Sequence, residues 1–156
     1  MKKNFLPIAI NISGEKILIV GGDQSAWKKL KILLRFGAEV EILAREVCAE
    51  IKQSGVTFFE QPYHQKFIKG YLMLYSCTNN ETLDRQIVAD CREAGVLVNI
   101  HDTPALCQFV SPAIYRSGNI SIAVSSNGED VYESIRLRNK IQEFLTNNQH
   151  HNKNEQ

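Results

Sequence analysis

No apolar run in this chain approaches the ~20 residues that a bilayer-spanning helix needs. The opening Met1-Lys-Lys-Asn leads into a run broken at Pro7, too short for a secretory leader. No membrane partner is therefore expected. Charge of one sign is missing too. The 18 basic and 17 acidic side chains leave a formal charge of +1, without the basic field of a nucleic-acid binder. There is also no C-x-x-C pair. The four cysteines, Cys48, Cys77, Cys91 and Cys107, are scattered through apolar segments, which argues against a zinc or redox dithiol site and for a reducing, cytoplasmic compartment. One further absence is local. In Gly21-Gly22-Asp23-Gln24-Ser25-Ala26 a glycine turn follows the apolar run Lys16 to Val20 and opens a helix, as in a dinucleotide-binding fingerprint, but Asp23 stands where the middle glycine belongs.

What is present is a repeated cycle. Lys16 to Val20 reads as a buried strand, and Trp27, Leu30, Leu33 and Leu34 recur at helical spacing until Gly37. Glu39 to Ala44 reads as a second strand, Val47 to Gln53 as a helix, and Val56 to Phe59 as a third strand. Tyr71 to Cys77 follows as a strand, Asn80 to Ala94 as a helix, and Val96 to Ile100 as a fifth strand. Alternating strands and helices imply a parallel sheet with helices on both faces. The 156 residues suit one such domain with a small appendage.

After Ile100 the pattern changes. His101 to Pro112 holds two prolines and no clear period, as expected of a functional loop at the carboxyl end of a strand. Ala113 to Arg116 and Ile120 to Val124 read as two strands, and Glu129 to about Leu145 as a helix. This small β-β-α piece has little core of its own, so one face is expected to meet a partner subunit. The expected division is residues 1–112 as the nucleotide-binding domain, 113–147 as a dimerisation and ligand-binding segment, and 148–156 as a disordered polar tail.

The ordered stretches ILIVGGDQSAWKK, GAEVEILA, LYSCTNN, VLVNIHDTPALCQFVSPAI and IAVSSNG carry a family likeness. Over roughly Phe5 to Leu145 the chain resembles the precorrin-2 dehydrogenase and sirohydrochlorin ferrochelatase family, the N-terminal module of siroheme synthases. The most specific element is V-N-x-x-D-x-P-x-x-C-x-F-x-x-P, matched by Val98, Asn99, Asp102, Pro104, Cys107, Phe109 and Pro112. The resemblance implies a Rossmann-type domain, a homodimer, NAD as cofactor and a tetrapyrrole substrate, precorrin-2 or sirohydrochlorin. Some members also take a ferrous or cobaltous ion as a second substrate. It implies Asp102 as the catalytic residue. It places cofactor contacts on Gly21, Gly22, Asp23, Gln24, Ser25, Arg45, Glu46, Thr78 and Asn79, and substrate contacts on Asn99, Arg116, Ser126 and Arg138. No resident metal site is expected.

The chemistry suits these residue types. Dehydrogenation removes a hydride and a proton, and a carboxylate near the ring can take the proton. Each residue also has a plain structural reading. Asp102 could form an Asx-turn before Pro104, Ser126 a turn, Cys107 a buried apolar contact, and the arginines of the last helix a solvated face. Asp23 is a preferred N-cap, whose carboxylate would occupy the helix start from within and weaken or shift a bound pyrophosphate. Three functions therefore stay open: NAD-dependent oxidation of precorrin-2 in siroheme or cobalamin biosynthesis, a sirohydrochlorin chelatase or carrier with weakened NAD binding, and a non-catalytic nucleotide-sensing or interaction subunit.

Overall fold

The structure is a computed structural model and describes residues 3–152. Residues 9–109 form one compact unit, and residues 3–8 together with 110 onward form another. In the first unit five strands, β1 (Lys16–Val20), β2 (Glu39–Ala44), β3 (Thr57–Glu60), β4 (Met73–Ser76) and β5 (Leu97–Ile100), make one parallel sheet of order β3-β2-β1-β4-β5. Chain order reverses between β1 and β4. Helices α1 (Gln24–Leu34), α2 (Ala49–Gln53) and α3 (Glu81–Ala94) complete the unit.

Strand alternation sorts the core. Ile17, Ile19, Val40, Ile42, Met73 and Tyr75 pack with Ala26, Leu30 and Leu33 of α1 and Ile51 of α2. The intervening residues Leu18, Leu74, Val98 and Ile100 are buried on the other face, where α3 meets β4 and β5 and buries Ile87, Val88 and Cys91. Burial on both faces is why the strands read as continuous apolar runs. The expected Rossmann-type sheet is thus observed. The helix ends follow local chemistry: Asn80 accepts from the Leu83 N–H at the start of α3, and Gly95, at φ 71°, closes it in the left-handed region.

Two features went unread in the sequence. Gln65–Ile68 forms a 3-10 turn that buries Ile68 between β3 and β4; four residues are too few to show a period. Gln108 accepts from the Val98 N–H through its side chain (3.0 Å) and donates its own N–H to the Val98 carbonyl (2.8 Å). It thereby pairs with the outer edge of β5, an edge that would otherwise be open.

The second unit is a hairpin of β6 (Ala113–Ser117) and β7 (Ile120–Val124) against α4 (Val131–Asn152). Asp130, just before α4, accepts from the Glu133 N–H at 2.8 Å. Asn127 ties in the N-terminal segment, accepting from the Phe5 N–H and donating to the Lys3 carbonyl, each at 2.7 Å. The helix passes the expected end near Leu145 and the expected tail boundary at 148, because neither glycine nor proline interrupts it before Asn152. The expected tail residues 153–156 lie outside the described residues.

The glycine turn is closely packed. A Cβ on Gly22 would lie 2.0 Å from the Glu46 carbonyl oxygen, and one on Gly21, at φ 130°, 2.3 Å from that of Cys77. Gly22→Ala should therefore lose about 1–3 kcal/mol or more in urea unfolding, since backbone must move. Gly14→Ala, where only left-handed backbone is at stake, should lose about 1–2.

Candidate functional site

Parallel sheets of this kind bind ligands outside the carboxyl ends of the strands, where chain order reverses. Here that crevice lies between β1 and β4. One wall is the turn Gly21 to Ser25, the other the loop Cys77 to Asn80. Backbone bonds fix both: Gly21 N–H to the Leu43 carbonyl (2.9 Å), Cys48 N–H to that of Gly22 (2.7 Å) and Cys77 N–H to that of Val20 (2.7 Å).

Asp23 is the N-cap of α1. Its Oδ1 accepts from the Ser25 N–H (2.9 Å), the Ala26 N–H (3.2 Å) and the Ser25 hydroxyl (2.6 Å). Its Oδ2 accepts from Asn79 Nδ2 at 2.8 Å, across the crevice. Burial by itself would raise this carboxyl, but the bonds from Ser25, Ala26 and Asn79 outweigh it and hold the group below the ordinary aspartate value. Asn79 sits at φ 53°, a left-handed position that asparagine tolerates better than most residues. Gln24 donates to Glu50 at 2.7 Å. Thr78 donates to Asp84 at 2.8 Å, and Ser76 joins it at 2.6 Å. Arg45 and Glu46 are exposed just beyond β2. Glu41, within β2, is taken up by Lys16 (2.7 Å) and Tyr71.

Asp102 lies one turn beyond β5. It is at φ 56° with its side chain 86% exposed, and His101 Nε2 is 3.4 Å from its Oδ2. The loop around it is shaped by groups spent on the loop itself. Buried Asn99 donates to the Phe109 carbonyl (2.9 Å) and Cys107 Sγ (3.5 Å), and Cys107 Sγ accepts from the Ile100 N–H (3.1 Å). Asn99 is thus placed as a strut. Cys107 is buried, as expected of a small apolar residue, but it also organises hydrogen bonds.

Lys29 was missed in the sequence. Its Nζ lies 4.7 Å from the centroid of the Tyr75 ring, which stands edge-on to Phe109 at 5.3 Å. Burial lowers the pKa of this amine, and the neighbouring Cys77, Cys107 and Asp102 oppose the shift, so the ammonium is within electrostatic reach of the catalytic candidate. The available signal was its spacing, three residues after buried Ala26 and four before buried Leu33. Arg116, Ser126 and Arg138 belong to the other unit. Ser126 donates to the Asp130 carbonyl (2.7 Å) and accepts its N–H (2.9 Å), shaping the start of α4. Arg138 donates to the Ile114 carbonyl at 3.0 Å, and Arg116 is exposed on β6. Among the described residues no three His, Cys, Asp or Glu side chains gather to hold a metal.

The crevice, with glycines behind it and Asp23 at its mouth, is what a nucleotide-binding model would have to match. The family model described as "Putative NAD(P)-binding" covers residues 8–113. The chain belongs to this NAD(P)-binding family. Within it the chain is similar to siroheme synthases. That of Psychrobacter sp. (strain PRwf-1) is 37% identical over 130 residues, 81% of this chain and 27% of the relative. That of Buchnera aphidicola subsp. Acyrthosiphon pisum (strain APS) is 31% identical over 148 residues, 92% and 31%. The chain thus spans under a third of the length of these curated relatives. The solved structure titled "SirC, precorrin-2 dehydrogenase" shares the fold, with a TM-score of 0.66 and 22% identity over 92% of this chain and 71% of the other.

The residues fit a dinucleotide of the NAD(P) class in frame: a switch point between β1 and β4, a helix start facing it and exposed Arg45 and Glu46 just beyond β2. They depart from it at Asp23, which already fills the amides of the helix start. Asn99→Ala should lose about 1–3 kcal/mol in urea unfolding, since it removes a buried side chain and leaves the partly buried Phe109 carbonyl without this bond. A residue that only touched substrate would lose far less.

Proposed function

We propose that this chain oxidises precorrin-2 to sirohydrochlorin, with NAD+ as hydride acceptor and Asp102 as proton acceptor. The observation that carries the reading is Asp102 itself. It is held on left-handed backbone, with its carboxylate open to solvent, at the carboxyl end of a strand beside the switch-point crevice. Asn99, Cys107 and Gln108 support its loop. Aspartate, like asparagine, tolerates such backbone better than most residues. The similarity to siroheme synthases and membership of the NAD(P)-binding family support the same reading.

When bound, NAD+ supplies the hydride acceptor. The ring gives up one hydride and one proton, and Asp102 takes the proton and passes it to water. Lys29, over the Tyr75 ring, lies within electrostatic reach of Asp102. Gly21 and Gly22 would set the turn beside the cofactor, and Gln24, Ser25, Thr78, Asn79, Arg45 and Glu46 would hold it. A second reading keeps the tetrapyrrole and replaces oxidation with insertion of a ferrous or cobaltous ion, two pyrrole protons leaving through Asp102. It is favoured by the carboxylate of Asp23 at the pyrophosphate position. The compartment in this proposal is the cytoplasm.

Purified chain given precorrin-2 and NAD+ should develop the sirohydrochlorin absorption spectrum. Asp102→Asn should slow this by about 10²–10⁴ without loss of stability. If the wild type is inert with both NAD+ and NADP+ yet speeds metal insertion, the second reading replaces the first.

We further propose a homodimer built on the hairpin unit, where Ile120 (67%), Val131 (61%), Tyr132 (88%) and Phe144 (66%) are exposed. Single apolar residues at a surface are ordinary, but several on one small unit point to a covered face. Light scattering should give twice the chain mass, and Phe144→Glu should shift it toward one.

A further inference from the structure

We propose that Asp23 and Asn79 form a latch across the switch-point crevice that limits how tightly this chain holds a dinucleotide. The inference rests on the NAD reading above and deepens it. The two residues come from opposite walls, one after β1 and one after β4, and their side chains meet at 2.8 Å in the gap where such folds admit the pyrophosphate. The family match supplies the independent pointer to that ligand class, since it spans both walls.

The latch has two halves. Asp23 Oδ1 consumes two of the free amides in the first turn of α1, those of Ser25 and Ala26, together with the Ser25 hydroxyl. These amides are the donors that a phosphate would use at a helix start. Asp23 Oδ2 consumes the donor offered by Asn79, whose left-handed backbone turns it toward the crevice. The protein thus fills its own anion site with a carboxylate. The bonds that hold Asp23 below its ordinary pKa keep that carboxylate charged at neutral pH.

An incoming pyrophosphate has two courses. It can displace Asp23, breaking four hydrogen bonds, or lie farther out and forgo the helix amides. Either way, charge repulsion at ~4 Å weakens binding on the order of ten- to thousandfold. A nucleoside without phosphates escapes the penalty. Asp23 can remain because it caps α1 well, so the native fold has no reason to eject it.

Calorimetry with NAD+ and with adenosine on the wild type, Asp23→Asn, Asp23→Gly and Asn79→Ala tests this, with melting curves to show that each variant is folded. Asparagine and glycine both serve as N-caps, so melting temperatures should change little. NAD+ affinity should rise about tenfold or more in the two Asp23 variants and less in Asn79→Ala, where the charge stays but is released. Adenosine affinity should be the same throughout. Equal NAD+ affinity in wild type and Asp23 variants overturns the latch and leaves the NAD reading standing, and so does a fall in affinity on removing Asp23. Absence of NAD+ binding in every variant overturns the NAD reading and the latch with it.

Discussion

The site depends on how closely three loops can approach one another at the carboxyl ends of β1, β2 and β4. Gly21 and Gly22 leave room for the carbonyls of Cys77 and Glu46 at distances no side chain would permit. In a common dinucleotide fold, glycines at such a turn let the backbone approach a ligand. Here the first two are needed by the protein's own backbone. Whatever binds in the crevice meets a framework fixed before it arrives, so its affinity is decided by the third position, which holds Asp23.

That position and the loop beyond β5 show two uses of an aspartate in one unit. Asp23 has every nearby donor turned toward it and is satisfied. Asp102 has Asn99 and Cys107 turned into the loop's own bonds, has His101 Nε2 beside it at 3.4 Å, and is exposed. A satisfied carboxylate makes a good cap and a poor base. An exposed one has the opposite character. The proposed division of labour, with repulsion at the crevice and proton transfer at the loop, follows from this difference in solvation.

The hairpin unit is governed by a different balance. Two strands and one helix bury little apolar area, and such a unit is marginal without further contacts. Its polar groups go largely into local order: Ser126 with Asp130, Asn127 with the N-terminal segment, Arg138 with β6. These bonds hold its shape and leave apolar side chains of α4 and β7 uncovered.

The apolar periods marked the strands of the sheet by themselves. β1 and β4 read as apolar runs, and β2 as an alternation of Glu39 and Glu41 with apolar residues. The glycine and asparagine punctuation between them was strong enough to place α3 and β1 through β5 within two residues. The V-N-x-x-D motif likewise marked the loop that carries Asp102. Partnership across space was not legible. Asn99 and Asp102 look alike as polar residues in one motif, and only packing made the first a buried strut and the second an open carboxylate. Nothing in the sequence sets Lys29 apart, and only folding brings Tyr75, forty-six positions away, beneath it. Asp23 announced a cap in the sequence. Its bond to Asn79 exists only because β1 and β4 become neighbours when the sheet reverses its order, a choice that depends on nonlocal packing and that no local pattern encodes.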